Sequence, residues 1–253
     1  MQGLSFREYL LLYHNIEIPR YSLEDILTNP QEIAFAVRDK CFPLEHFSAY
    51  LQKGYYPFGV EGFNSYYQRI ESIADLLLNI ELPQLRGVDV GNIRKLKALL
   101  AVISTEVPML VDVSKLSAFI GVSRITLLAY LQYLHEAKLI RLLYSDDLSV
   151  KKMQKPDKIL MENTNLLQAL SLKEPNIGTM RETFFCNQLG YKHQVEYNKS
   201  GDFLIDHRLV FEIGGKAKDG KQVAQNENAY IAADDIDYPM GNKLPLWMFG
   251  LMY

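Results

Sequence analysis

Glu182, Asp202, Glu212 and Lys216 are the residues whose types and spacing suit a chemical reaction. The pattern predicts Glu182 on a helix, Asp202 at the start of a strand and Glu212 on the next strand. Carboxylates so placed converge on Mg²⁺, a hard cation that prefers oxygen ligands. Asp202 and Glu212 would be its ligands, with Glu182 in support. The ion would activate water and steady a phosphate, and Lys216 would stabilise the charge that develops. The competing reading needs no metal: Asp202 opens a hairpin, and Glu212 pairs with Lys216 or a backbone donor. Only Asp206-His207-Arg208 separates the strands expected at 202–205 and 209–213, so a hairpin is the natural pairing. Side chains alternate along a strand, which sends Glu212 and Gly214 to one face. Lys216 comes one alternation later and reaches back only if Gly214-Gly215 bends the chain.

A second constellation is basic. Residues 91–160 hold 11 Lys and Arg against 6 Asp and Glu, between two acidic segments, in a chain of net charge −3. The helix expected at 124–137 offers Arg124, Thr126, Leu127 and Tyr130 on its exposed side, with Gln132 and His135. Helices that read bases carry more Arg, Lys, Asn and Gln, so this face suits packing on protein. Lys151, Lys152, Lys155 and Lys158 cluster in the following ribbon. They would touch phosphates without reading bases, or form a solvated loop. Arg124, Lys151, Lys152 and Lys155 are the DNA-contact candidates.

The elements that must position these groups follow from pattern and punctuation. With 253 residues, of which 48% are hydrophobic and 23% charged, the chain can bury a substantial core. No stretch is long and apolar enough to cross a bilayer. Cys41 and Cys186 show neither metal spacing nor a disulfide framework, which predicts a reducing, cytoplasmic setting. The five histidines show no metal spacing, and no Ser-His-acid or Cys-His set is evident. Helices are expected at 4–16, from Ser22, at 44–53 and at 64–80, with Tyr55-Tyr56-Pro57-Phe58 as core or seam. Helices at 92–105, 113–120 and 124–137 and strands at 139–144 and 158–161 follow in the order of a winged helix-turn-helix. Gly121 suits its tight turn, because glycine enters the left-handed region cheaply. A helix at 180–190, strands at 194–197, 202–205 and 209–213, a helix-like segment at 221–228, and strands at 229–232 and 245–251 make a small α/β domain. The fold class is α+β, with boundaries expected at 1–90, 91–161 and 162–253.

Several segments, in this order, resemble one family. They are Gly3 to Leu10, Tyr50 to Phe58, Leu116 to Ile140, Arg181-Glu182-Thr183-Phe184-Phe185, and Asp202 with Phe211-Glu212-Ile213-Gly214-Gly215-Lys216. Together they resemble the C-terminal region of prokaryotic AAA-type ATPases, in which an ATPase domain precedes a winged helix and a domain related to PD-(D/E)xK nucleases. The resemblance implies that 1–90 is a helical, lid-like region of the ATPase, 91–161 a winged helix, and 162–253 a restriction-endonuclease-like domain. Asp202 and Glu212 match the family's two acids, and Gly214 stands where its lysine belongs. The GxxxxGK[ST] phosphate loop, which precedes these segments in the family, is absent from the sequence. ATP would then be bound only by a domain outside this chain.

Two functions are expected from this. One is a non-catalytic C-terminal module that docks on its own ATPase domain and touches DNA non-specifically. The other is a Mg²⁺-dependent nuclease with Asp202 and Glu212 as ligands, Glu182 in support and Lys216 as a displaced lysine. A free-standing winged-helix regulator fits least.

Overall fold

The computed structural model describes residues 3–62, 64–86, 90–145, 155–219 and 228–253. In chain order the helices are α1 (Phe6–His14), α2 (Leu23–Thr28), α3 (Pro30–Arg38), α4 (Pro43–Lys53), α5 (Tyr66–Leu76), α6 (Leu82–Arg86), α7 (Val90–Glu106), α8 (Val113–Ile120), α9 (Arg124–Glu136), α10 (Thr164–Leu170) and α11 (Ile177–Leu189). The strands are β1 (Met109–Leu110), β2 (Ile140–Leu143), β3 (Lys158–Met161), β4 (Val195–Tyr197), β5 (Phe203–Ile205), β6 (Leu209–Gly214), β7 (Ala229–Ala233) and β8 (Lys243–Pro245). The protein is mixed α+β and contains two sheets. Among the described residues, no single helix is long and apolar enough to cross a membrane.

The chain divides into two compact units, one of residues 1–64 with 176–253 and the other of residues 65–175. The boundaries expected at 90/91 and 161/162 are therefore not where the structure divides. The reason is packing between distant segments. Within the first unit, Ser5 Oγ and Arg7 Nε both donate to the Tyr253 carbonyl, at 2.7 and 2.8 Å. Phe47 and Tyr50 of α4 meet Phe184 of α11 edge-on. Gly250 lies so close to Phe6 that an added Cβ would come within 2.5 Å of the Phe6 Cβ. Within the second unit, α5 packs on α10, and Tyr66 donates a short hydrogen bond to Asn165.

Capping sets the local structure of the first unit. Ser5 with Glu8, and Ser22 with Asp25, form reciprocal capping boxes that satisfy otherwise orphaned N–H groups. Pro30 and Pro43 occupy first-turn positions, where no N–H is needed. The sheet runs β4-β5-β6-β7-β8. Strands β4, β5 and β6 pair antiparallel, whereas β6, β7 and β8 are parallel. On one face, Phe185 of α11 packs on Phe203, Phe211 and Phe249. Each such fully buried ring contributes roughly 1.5–3 kcal/mol.

Residues 245–251, expected as a strand, are instead the end of β8 followed by a 3-10 segment at Leu246–Leu251. All six residues of that segment are buried, and it touches α1, α2, α4 and α11. An apolar run buried on every side has no periodicity with which to tell strand from helix.

In the second unit, Asp112 caps α8, Gly121 ends it in the left-handed region (φ 72°), and Ser123 caps α9. The two helices meet at 92°. β2 and β3 then form an antiparallel ribbon, and β1 joins the outer side of β3. Lys158 lies in β3 and is buried, so it does not join the basic loop expected at 151–158. Leu127 and Tyr130, expected on the exposed side of α9, are core residues at 0% and 4% exposure. With Leu131 and Leu134 they form the buried face of α9, which packs on α8 and β2.

Candidate functional site

The register of β5 and β6 pairs Phe203 with Phe211 and Ile205 with Leu209, and Asp202 stands just before β5. Asp202 is held at both ends. Its N–H donates to the Phe211 carbonyl at 2.8 Å, and its Oδ2 accepts from the Ile213 N–H at 2.7 Å. Glu212, at 1% exposure, is one of the most buried charged residues of the first unit. The hairpin that the sequence predicts is thus present, and the charges of both acids reach one lysine.

The lysine at this site is Lys218 rather than Lys216. Strand β6 ends at Gly214, and the Lys218 N–H bonds back to the Gly215 carbonyl at 3.0 Å, closing a tight turn. Lys216, inside that turn, is exposed. Its carbonyl accepts from Lys243 Nζ at 3.0 Å. Lys218 comes back over the sheet and places Nζ 2.6 Å from Glu212 Oε1. Its stem runs across Gly214, where an added Cβ would come within 2.8 Å of the Lys218 Cβ and Cγ. The volume that a side chain at 214 would fill is taken by a lysine four residues later. The hydrogen bond to Glu212 holds the Lys218 ammonium above the ordinary lysine range. Partial burial opposes this, while the charges of Glu212, Asp202 and Asp219 add to it.

Arg181, which the sequence did not single out, borders this cluster. Its Nε lies 2.9 Å from Asp234 and its Nη2 3.2 Å from Asp235. Its guanidinium also presses on Gly215, where an added Cβ would come within 3.0 Å of Nη1. The Asp234 N–H donates to the Gly214 carbonyl at 2.9 Å. The charged groups therefore gather at the carboxyl ends of the parallel strands β6 and β7, where open α/β sheets place their sites. Gly215, which carries no Cβ, leaves the guanidinium room at this distance.

These residues do not fit Mg²⁺ as they are arranged. Hard divalent cations take six or more oxygens, whereas one oxygen of Glu212 is held by an ammonium. Among the described residues, no three His, Cys, Asp or Glu side chains are grouped to hold a metal. Glu182 lies half-buried on α11 and is outside any such group.

Of the DNA-contact candidates, Arg124 and Lys155 are exposed, and Lys151 and Lys152 lie outside the described residues. Two large apolar side chains near the α8–α9 turn are exposed. Phe119 is 74% and Ile125 82% exposed. Beside them, Leu110, Leu116, Phe119 and Leu172 line a groove of about 600 Å³. Two histidine pairs also escaped the sequence reading. His193 Nδ1 lies 2.6 Å from Asp206, and His207 Nδ1 2.9 Å from Glu196. Asp206 and His207 both have positive φ, and this turn brings their side chains to β4 and its approach.

The fold and the site define a two-unit α+β protein in which a lysine closes on a buried glutamate of a sheet strand. The chain belongs to the family described as Domain of unknown function (DUF8612), whose model matches residues 44–176 and so takes in all of the second unit. The chain is 24% identical, over 255 residues, to Uncharacterized protein MJ1637 of Methanocaldococcus jannaschii. That match covers 92% of this chain and 54% of the relative, so the chain spans about half the length of the curated relative it matches. No solved structure matches.

Proposed function

We propose that the chain is a non-catalytic module of an AAA-type ATPase, with a winged helix in residues 91–161 and a nuclease-like α/β fold around Asp202 and Glu212. The module docks on its ATPase domain and contacts DNA without sequence preference. The observation that carries this reading is the 2.6 Å pair between Lys218 and Glu212. An internal cation sits on the carboxylate that a nuclease would keep for metal. The exposed apolar side chains Phe119 and Ile125 favour protein docking over base reading. The length of the relative beyond the match is consistent with a module in a larger protein. ATP belongs to that other domain, because this sequence has no GxxxxGK[ST] loop.

A second reading, a Mg²⁺-dependent nuclease, has one observation in its favour. Glu212 Oε2 is buried and has no hydrogen-bond partner among the described residues. A cleavage assay on linear and branched DNA with Mg²⁺ or Mn²⁺ decides between the two. No cleavage above that of Glu212→Ala is expected. Cleavage that both Asp202→Ala and Glu212→Ala abolish would overturn the non-catalytic reading.

A further inference from the structure

At the amino ends of β6 and β7, opposite the Glu212 cluster, a cleft of about 570 Å³ opens in the first unit. It is bounded by the segment before α2, the turn after α11 and the β5–β6 turn. Each of these supplies a cation: Arg20, Lys192 and Arg208. All three are exposed, and among the described residues none is paired with a carboxylate. Such convergence is unusual in a chain of net charge −3, because like charges drawn together without a counter-ion repel.

The cations are anchored through their backbones and stems. The Tyr21 N–H donates to the Leu251 carbonyl at 3.2 Å, which fixes the strap that carries Arg20. Arg20 Nε donates to the Met252 carbonyl at 3.1 Å, leaving both terminal nitrogens of the fork uncommitted. The Lys192 N–H bonds to the Leu189 carbonyl and that of Arg208 to the Ile205 carbonyl, each at 3.0 Å. Desolvation, and next the positive charge of Arg20, hold the Lys192 ammonium below its ordinary range. Two carboxylates also face the cleft. Asp206 is occupied by His193 and by the Gln194 N–H, which leaves Glu24 against three cations. Leu23, Leu27 and Tyr230 supply an apolar wall.

We propose that this cleft binds a small phosphate monoester, with the phosphate held by Arg20, Lys192 and Arg208 and an apolar or aromatic body set against Leu27 and Tyr230. A planar guanidinium fork suits phosphate oxygens, and the volume suits a small molecule. The site stands apart from Glu212 and does not rest on the function proposed above.

Calorimetric titration of the whole chain at low salt with adenosine monophosphate, inorganic phosphate and adenosine tests it. The monophosphate should bind saturably, phosphate more weakly, and adenosine not measurably. Arg208→Ala and Arg20→Ala should each weaken binding by about tenfold or more. Arg20→Lys should weaken it less, because the charge is kept. Circular dichroism and melting curves establish that the variants fold, and exposed Arg208 provides a variant outside the core. The proposal is overturned if neither phosphate compound binds at up to about 10 mM, if adenosine binds as tightly as its monophosphate, or if folded Arg208→Ala binds as the parent does.

Discussion

Lys218 occupies the place that strand alternation would assign to residue 214, and it does so through a turn. With its ammonium removed, Glu212 would keep a buried charge without a cation. Lys218→Met should therefore lower stability by about 1–3 kcal/mol, the usual cost of a buried acceptor stripped of its donor. Adding Glu212→Gln should recover part of that loss. A urea-denaturation double-mutant cycle measures the coupling, and strictly additive effects would refute the pairing. Tyr13 gives a second test at this scale. Its hydroxyl donates to the Tyr56 carbonyl at 2.8 Å. Burial, and next the charge of Tyr9, push its pKa up to about 12, against opposing hydrogen bonds at Val60 and Gly59. An unfolded tyrosine titrates near 10. The neutral phenol thus contributes fully below about pH 10, and its contribution is lost as pH rises through about 12. Tyr13→Phe should flatten the alkaline fall in the denaturation midpoint between those values.

At the scale of elements, caps account for most of what could be read in advance. Ser22, Pro43, Gly121 and Ser123 each stand at a helix boundary the structure contains. Helix α10 was missed, although Asn163 marked its start. Asn163 Oδ1 accepts from the Leu166 N–H at 2.9 Å. Its first four residues, Thr164 to Leu167, are all buried, so no polar–apolar alternation announced it. Asn163→Ala should cost about 1 kcal/mol, read as a lower denaturation midpoint with an unchanged slope. Asn163→Asp, which keeps an acceptor at the cap, should cost less. The helix-like segment expected at 221–228 lies outside the described residues but for Asn228.

At the scale of the whole molecule, the first unit is built from the two ends of the chain, and the second from the middle. A fragment of residues 65–175 should therefore unfold cooperatively when expressed alone. A fragment cut at the expected boundary, 162–253, should not, because α11 and the 246–251 segment would lose Phe6, Phe47 and Tyr50. Far-UV and near-UV circular dichroism through a thermal ramp distinguishes the two. A native near-UV spectrum from 162–253 would show that the N-terminal helices are dispensable.

The sequence by itself determined most helices, the α8–Gly121–α9 turn and the β5–β6 hairpin. Each of these depends on caps, glycine conformation or alternation over a few neighbouring residues. Tertiary structure alone decided that Leu127 and Tyr130 face inward and that residues 246–251 coil into a buried 3-10 turn. It also decided that residues 1–64 join 176–253, that Lys218 serves Glu212, and that Arg20, Lys192 and Arg208 share one cleft. The physical reason is common to these cases. Burial, chain reversal and the convergence of distant charges depend on what packs from elsewhere in the chain, and local spacing carries no record of it.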